Sequence, residues 1–143
     1  MPMTTPLDGS VMLQQGRYRS LWRYHLRQCD GVVYVVDCAD AARLPVALAE
    51  LRQLLGDDAL IRRRPRLPLL VFANKSDRPT AADNYRRLAG SMCAHCGETQ
   101  RPCHVVASCA LTGDGLRLGF EWLLRQAGPD GSRWRHDQRP TWY

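Results

Sequence analysis

Lysine is almost absent from this chain of 143 residues, which has one lysine, Lys75, and 19 arginines. A phosphate-binding loop of the form G-x-x-x-x-G-K-[ST] needs a lysine after its second glycine, and the residues before Lys75 do not match that form. No apolar run is long enough to cross a membrane, and Met1-Pro2-Met3-Thr4 has no signal-peptide pattern. Proline at position 2 also excludes N-myristoylation, which requires glycine there.

The composition is otherwise that of a single globular domain, with 45% hydrophobic and 24% charged residues. Six cysteines without a secretion signal indicate reduced thiols and a cytoplasmic protein. The net charge of +6 comes from arginine, with the densest cluster at Arg62-Arg63-Arg64-Pro65-Arg66. Such a cluster fits either an acidic partner such as anionic lipid or RNA, or a solvated loop in an arginine-rich chain. We expect no nucleic acid as a partner.

Apolar periodicity predicts strands alternating with helices, which is typical of an α/β domain with a parallel sheet. We expect flexible residues at 1–15, the domain at 16–127, and a basic tail containing tryptophan at 128–143. The predicted strands are Gly31–Asp37, Leu69–Ala73 and Cys103–Ala107. The predicted helices are Tyr18–Arg27, Ala41–Leu55 stopped by Gly56, Thr80–Ala89 stopped by Gly90, and a last one whose face is Leu116, Phe120, Leu123 and Ala127.

The apolar run that begins at Leu69 ends in Asn74-Lys75-Ser76-Asp77, and this pattern indicates recognition of guanine. A carboxylate such as that of Asp77 can accept from both N1–H and N2–H₂ of guanine, whereas adenine presents no such pair of donors. Each charge-assisted hydrogen bond of this kind contributes about 1.5–3 kcal/mol. The Lys75 stem can cover the base plane, and Asn74 can pin neighbouring loops.

From about residue 19 to residue 126 the chain resembles ADP-ribosylation-factor-like (Arf-like) small GTPases. The resemblance implies part of a P-loop GTPase domain, a parallel sheet flanked by helices that lacks its N-terminal strands. It also implies GTP or GDP with Mg²⁺ as cofactors, a conformational switch, and effectors recruited on membranes. Four segments carry it in the right order: Arg19–His25, Asp30–Asp37, Leu69–Asp77 and Ser108–Leu116.

The resemblance assigns functions to particular residues of this chain. Gln15 falls where the family has the glutamine that positions the hydrolytic water, and the helix containing Leu21-Trp22 would hold an effector or regulator. The location implied is cytoplasmic, with peripheral association with intracellular membranes. The implied guanine-binding residues are Asn74, Lys75, Asp77, Cys109, Ala110 and Leu111, with the backbone N–H of Ala110 offered to the base carbonyl.

The first residues depart from the family pattern. Val11 stands where the family has its Mg²⁺-linked aspartate, and Leu13-Gln14 replaces a glycine pair. We therefore expect a shortened family member without the phosphate-binding half, in which Gln15 is a relic, because hydrolysis needs the metal and phosphates in place before a water can be oriented. Losing the phosphate contacts weakens nucleotide affinity by about 10⁴–10⁶-fold. The alternative is a degenerate pseudo-GTPase that acts as a nucleotide-independent interaction module.

One further cluster has the residue types of a zinc site: Cys93 and Cys96 form a C-x-x-C pair, and Cys103-His104 follows. Against zinc, adjacent residues on a strand point to opposite faces of the sheet, so Cys103 and His104 would diverge. Free thiols are the alternative. We see no other catalytic constellation in the sequence.

Overall fold

The described part of the chain is one α/β unit of three strands and three helices. The computed structural model describes residue 26 and residues 29–56, 64 and 66–127. Strands and helices alternate, as the sequence predicts. In chain order they are β1 (Val32–Asp37), α1 (Leu44–Gly56), β2 (Leu69–Asn74), α2 (Ala81–Thr99), β3 (Cys103–Ala107) and α3 (Leu116–Gln126).

All three strands are parallel, in the order β1-β2-β3. Strand β2 lies in the middle and is buried from Leu69 to Ala73, which explains its unbroken apolar sequence. Asp37 aligns with Asn74 at the end of β1, and Ala73 aligns with Ala107 on the other side. The carboxyl ends of the strands therefore meet at one edge of the sheet, where open α/β sheets bind ligands.

Helices cover both faces of the sheet, and each face has its own apolar cluster. Leu51 of α1 and Leu88 of α2 are fully buried beside Val71 on one face. On the other face, α3 packs Leu123 against Leu70 of β2. Because alternate strand residues point to opposite faces, β2 contributes to both clusters.

Helix α2 corrects the predicted stop at Gly90, since it continues through that glycine to Thr99. Gly90 is exposed, and a Cβ there would meet nothing within 4 Å, so it neither ends the helix nor serves a close contact. The continuation buries Met92 and Cys96, which follow Leu88 at intervals of four residues. Burying those two side chains outweighs the unfavourable helix propensity of one glycine, about 1 kcal/mol.

The other helices differ from their predictions in detail. Helix α1 begins at Leu44 rather than at residue 41. In the turn just before it, the Arg43 N–H donates to the Asp40 carboxylate at 3.2 Å. In α3 the backbone lies close to the sheet at Gly119, where a Cβ would lie 2.5 Å from the Phe72 ring. Phe120, predicted in the buried face, is 37% exposed and touches Phe72 edge-on at the rim.

Several predicted features lie outside the described residues. These are Gln15, the Leu21-Trp22 helix apart from the buried Leu26, the segment 1–15 and the tail 128–143. Among the helices that the structure does describe, none combines the length and the apolar character needed to span a bilayer.

Candidate functional site

Hydrogen bonds join the loop that follows β2 to the loop that follows β3. The side-chain Oδ1 of Asn74 accepts from the backbone N–H of Ala110 at 3.0 Å and from the Ser108 hydroxyl at 3.5 Å. The backbone N–H of Ser76 donates to the Ser108 carbonyl at 3.0 Å. The structure therefore brings the predicted segment Asn74–Asp77 beside the predicted segment Cys109–Leu111, although the two are more than 30 residues apart in the chain.

Lys75 leaves the end of β2 in the left-handed backbone conformation, with φ at 62°. Its ammonium reaches the end of β1, where Nζ lies 2.7 Å from Oδ2 of Asp37. This hydrogen bond holds the pKa of Asp37 below its ordinary value. Since the folded pKa is the lower one, the pair stabilises the fold above the unfolded pKa and stops doing so as pH falls through the lowered pKa.

The Asp77 carboxylate lies at the surface, where a ligand can reach it. Its side chain is 47% exposed, and Oδ2 is 3.7 Å from Nε of Arg78, an ion pair loose enough to leave acceptor capacity free. The N–H of Ala110 already donates to Asn74, so a base carbonyl would have to share that donor. Leu111 is 92% exposed beside it, whereas Cys109 is buried.

The loop after β3 is closed by its own backbone. The Cys109 N–H donates to the Asp114 carbonyl at 3.0 Å, and the Gly113 N–H donates to the Cys109 carbonyl at 2.8 Å. Gly115 then turns the chain into α3 with φ at 76°, and a Cβ there would overlap the carbonyl oxygen of Ala107. A glycine is therefore required at this position.

Helix α2 supports the loop that follows β1. Buried Asn84 donates from Nδ2 to the Cys38 carbonyl at 2.7 Å, directly after Asp37. Burial, with the nearby negative charge of Asp37, raises the pKa of the Cys38 thiol to about 11. Cys38 is therefore a neutral packing residue and not a nucleophile.

Sequence reasoning missed three residues of this edge: Asp37, Ser108 and Gly115. A usable signal existed for Asp37, since it ends a predicted strand at the carboxyl edge, where the ends of parallel strands meet. Ser108 follows β3 in the same way and is completely buried. The need for glycine at position 115 depends on how closely Ala107 passes, and no sequence pattern reports that distance.

The cysteine cluster favours the free-thiol alternative over zinc. Cys93 and Cys96 lie on α2 and not in a loop, and none of the six cysteines forms a disulfide. His104 stacks on Trp122 with ring centroids 5.2 Å apart, on the face opposite to the cluster that packs Cys103. Within the described residues, no three His, Cys, Asp or Glu side chains are grouped as metal ligands.

Cys96 and Cys103 form a thiol pair between α2 and β3. Hydrogen bonding by the neighbouring Cys103 thiol lowers the pKa of Cys96, burial opposes this, and the Arg101 charge makes a smaller lowering contribution. The same contact raises the pKa of Cys103. The ionisation of each thiol therefore depends on the protonation of the other.

We expect Cys103→Ala to raise the pKa of Cys96, because the donor is removed while burial remains. A titration of the Cys96 Cβ signal by ¹³C NMR measures this pKa. Cys103→Ser is the matched control, since its hydroxyl can still donate, and it should keep the pKa of Cys96 below that in Cys103→Ala. Equal Cys96 titrations in both variants would show that the contact does not set the pKa.

At this edge of the sheet, the described residues offer groups that can bind the base of a guanine nucleotide. The exposed Asp77 carboxylate suits the donor pair of guanine. The phosphates and Mg²⁺ find no match in the described part of the chain, where no set of metal ligands is grouped and the Lys75 ammonium is paired with Asp37.

The chain is similar to known proteins both in sequence and in fold. ADP-ribosylation factor-like protein 6 of Danio rerio is 36% identical over 125 residues, which cover 86% of this chain and 65% of that protein. A solved structure of the Arl6 BBS3 small GTPase from Trypanosoma brucei, with bound nucleotide analogue GppNp, superimposes with a TM-score of 0.66 and 34% identity. That match covers 78% of this chain and 66% of the other.

The chain thus spans less than two thirds of the length of either relative. Its three parallel strands and flanking helices form part of a Ras-like GTPase fold. The model of the ADP-ribosylation factor family matches residues 14–127, most of the chain. The chain belongs to the ADP-ribosylation factor family of small GTPases.

Proposed function

We propose that this chain recognises the base of guanine nucleotides at the carboxyl edge of its sheet, and that it binds them weakly. The observation that carries the proposal is the pair of cross-links from Asn74 to Ala110 and from Ser76 to Ser108. They hold the Asp77 loop beside the loop after β3, so that one ligand can touch both.

The expected affinity follows from the contacts available. Two charge-assisted hydrogen bonds from guanine to Asp77 supply about 3–6 kcal/mol. A free energy of about 4 kcal/mol corresponds to a Kd of about 1 mM. Without a lysine and Mg²⁺ for the phosphates, GTP with Mg²⁺ should bind little better than GMP.

The test is a ligand-observed NMR titration of the whole chain with GMP, IMP and AMP. GMP should bind best, because IMP lacks the N2–H₂ donor and AMP lacks both donors. The structure predicts that Asp77→Asn weakens GMP binding about tenfold or more, because the amide replaces one acceptor by a donor. The same change should improve binding of XMP, whose base carries an oxygen where guanine has N2–H₂.

The control is Asp83→Asn, which changes another exposed aspartate, one that pairs with Arg86 on α2 at 3.0 Å. It should leave the preference for GMP unchanged. Equal binding of GMP and AMP by the unmodified chain, or an Asp77→Asn variant that still prefers GMP to XMP, would contradict the proposal. Submicromolar, Mg²⁺-dependent GTP binding would contradict its weak-binding part.

A second candidate is a pseudo-GTPase that binds a protein partner independently of nucleotide. The exposure of Val33 and Val35 favours it, because they are 40% and 53% exposed on β1, an edge strand among the described residues. The two candidates differ in one measurement. The second predicts that saturating GMP or GTP leaves the melting temperature and the NMR spectrum of the protein unchanged.

A further inference from the structure

The ion pair between Lys75 and Asp37 joins two neighbouring strands at the edge where the base would lie. Lys75 directly follows β2, and Asp37 is the last residue of β1. Their side chains meet at 2.7 Å although the residues are 38 positions apart in sequence. The four methylenes of the Lys75 stem must therefore run across the gap between the ends of the two strands.

Both oxygens of the Asp37 carboxylate are engaged, so its direction is set before any ligand arrives. Oδ1 accepts from the Ala39 N–H at 2.9 Å, while Oδ2 accepts from Lys75. The loop that carries Asp37 is held in turn, because the Cys38 N–H donates to the Asn74 carbonyl at 3.0 Å and the Cys38 carbonyl accepts from Asn84. Asp37 therefore has a defined position relative to Asn74.

We infer that Asp37 is a positioning residue for guanine, because it stretches the Lys75 stem into an ordered apolar support on which the base ring lies. The inference rests on the proposed function. A free lysine side chain loses up to about 2 kcal/mol of rotamer entropy when it is ordered, and the ion pair meets part of that cost before binding. Asp37 itself need not touch the nucleotide.

Lys75→Met removes the charge of the side chain but keeps a flexible apolar chain, so the variant cannot pair with Asp37. Binding of GMP to the whole chain is measured by NMR titration for four proteins: the unmodified chain, Asp37→Asn, Lys75→Met and the double variant. We expect Asp37→Asn alone to weaken GMP binding about two- to fivefold, the range of an exposed ion pair. In the Lys75→Met background the same change should have no effect.

The single lysine of the chain provides a readout that does not depend on nucleotide. After ¹⁵N-lysine labelling, the Nζ signal of Lys75 is the only one of its kind, and it should shift in Asp37→Asn. It should not shift in Asp83→Asn, whose aspartate pairs with Arg86. Thermal melting of each variant shows that the fold is retained.

The outcomes separate the two proposals. An unmodified chain that binds no GMP overturns both. An unmodified chain that binds GMP no better than Asp37→Asn overturns the inference alone, as does an Asp37→Asn effect of equal size in the Lys75→Met background. An unshifted Nζ signal in Asp37→Asn also overturns it, because the ion pair would then be absent in solution.

Discussion

Gly115→Ala is expected to destabilise the protein by about 2–5 kcal/mol. Two costs combine at this position. Its φ of 76° disfavours any side chain, and the added Cβ would overlap the carbonyl oxygen of Ala107 in β3. That oxygen belongs to the sheet backbone, so it cannot move aside without disturbing the strand. Urea denaturation gives the free energy of unfolding that tests this value.

Gly113→Ala is the matched control for Gly115→Ala. Gly113 has a similar φ of 84°, but a Cβ there would meet nothing within 4 Å. It should therefore cost only the conformational part, about 1–2 kcal/mol. If both variants lose the same stability, the close approach of Ala107 is not the reason for glycine at position 115.

Met92→Ala should destabilise the protein by about 2–5 kcal/mol, the range for large core side chains cut back to alanine. Met92 is completely buried against the core, beyond the glycine at which the sequence pattern predicts the end of the helix. Removing its side chain leaves a cavity between α2 and the sheet. Chemical denaturation followed by circular dichroism measures the loss.

Cys93→Ala is the control for Met92→Ala, since Cys93 is the next residue of the same helix and is exposed. It should change the free energy of unfolding by less than about 0.5 kcal/mol. Similar losses in both variants would mean that α2 does not present Met92 to the core. A small loss in Met92→Ala would favour the shorter helix that ends near Gly90.

The strands could be predicted because their signals are local. The run from Leu69 to Ala73 is apolar without interruption because β2 is covered on both faces, so the sequence pattern directly indicates a buried strand. Helix boundaries were harder. The length of α2 depends on whether Met92 and Cys96 find a core to enter, and that energy outweighs the local preference of Gly90.

The candidate site was predictable only in part, because some of its contacts are local in sequence and others are not. Asn74, Lys75 and Asp77 belong to one short motif, so their side chains could be named from sequence spacing alone. The ion pair to Asp37 spans 38 positions. No local sequence pattern indicates which carboxylate of the chain pairs with Lys75. For the cysteine cluster, the divergence of Cys103 and His104 followed from strand geometry alone, whereas the position of Cys93 and Cys96 within α2 depended on a helix length that the local sequence did not report.

The amino-acid sequence by itself determined the alternation of strands and helices, the family and the order of residues in the segment Asn74–Asp77. Those properties depend on residue order and on interactions between near neighbours. Only the tertiary structure decided which loops share an edge, that Lys75 is held by Asp37, and that glycine is needed beside Ala107. These contacts join residues far apart in the chain, so they exist only once the parallel sheet has brought the strand ends together.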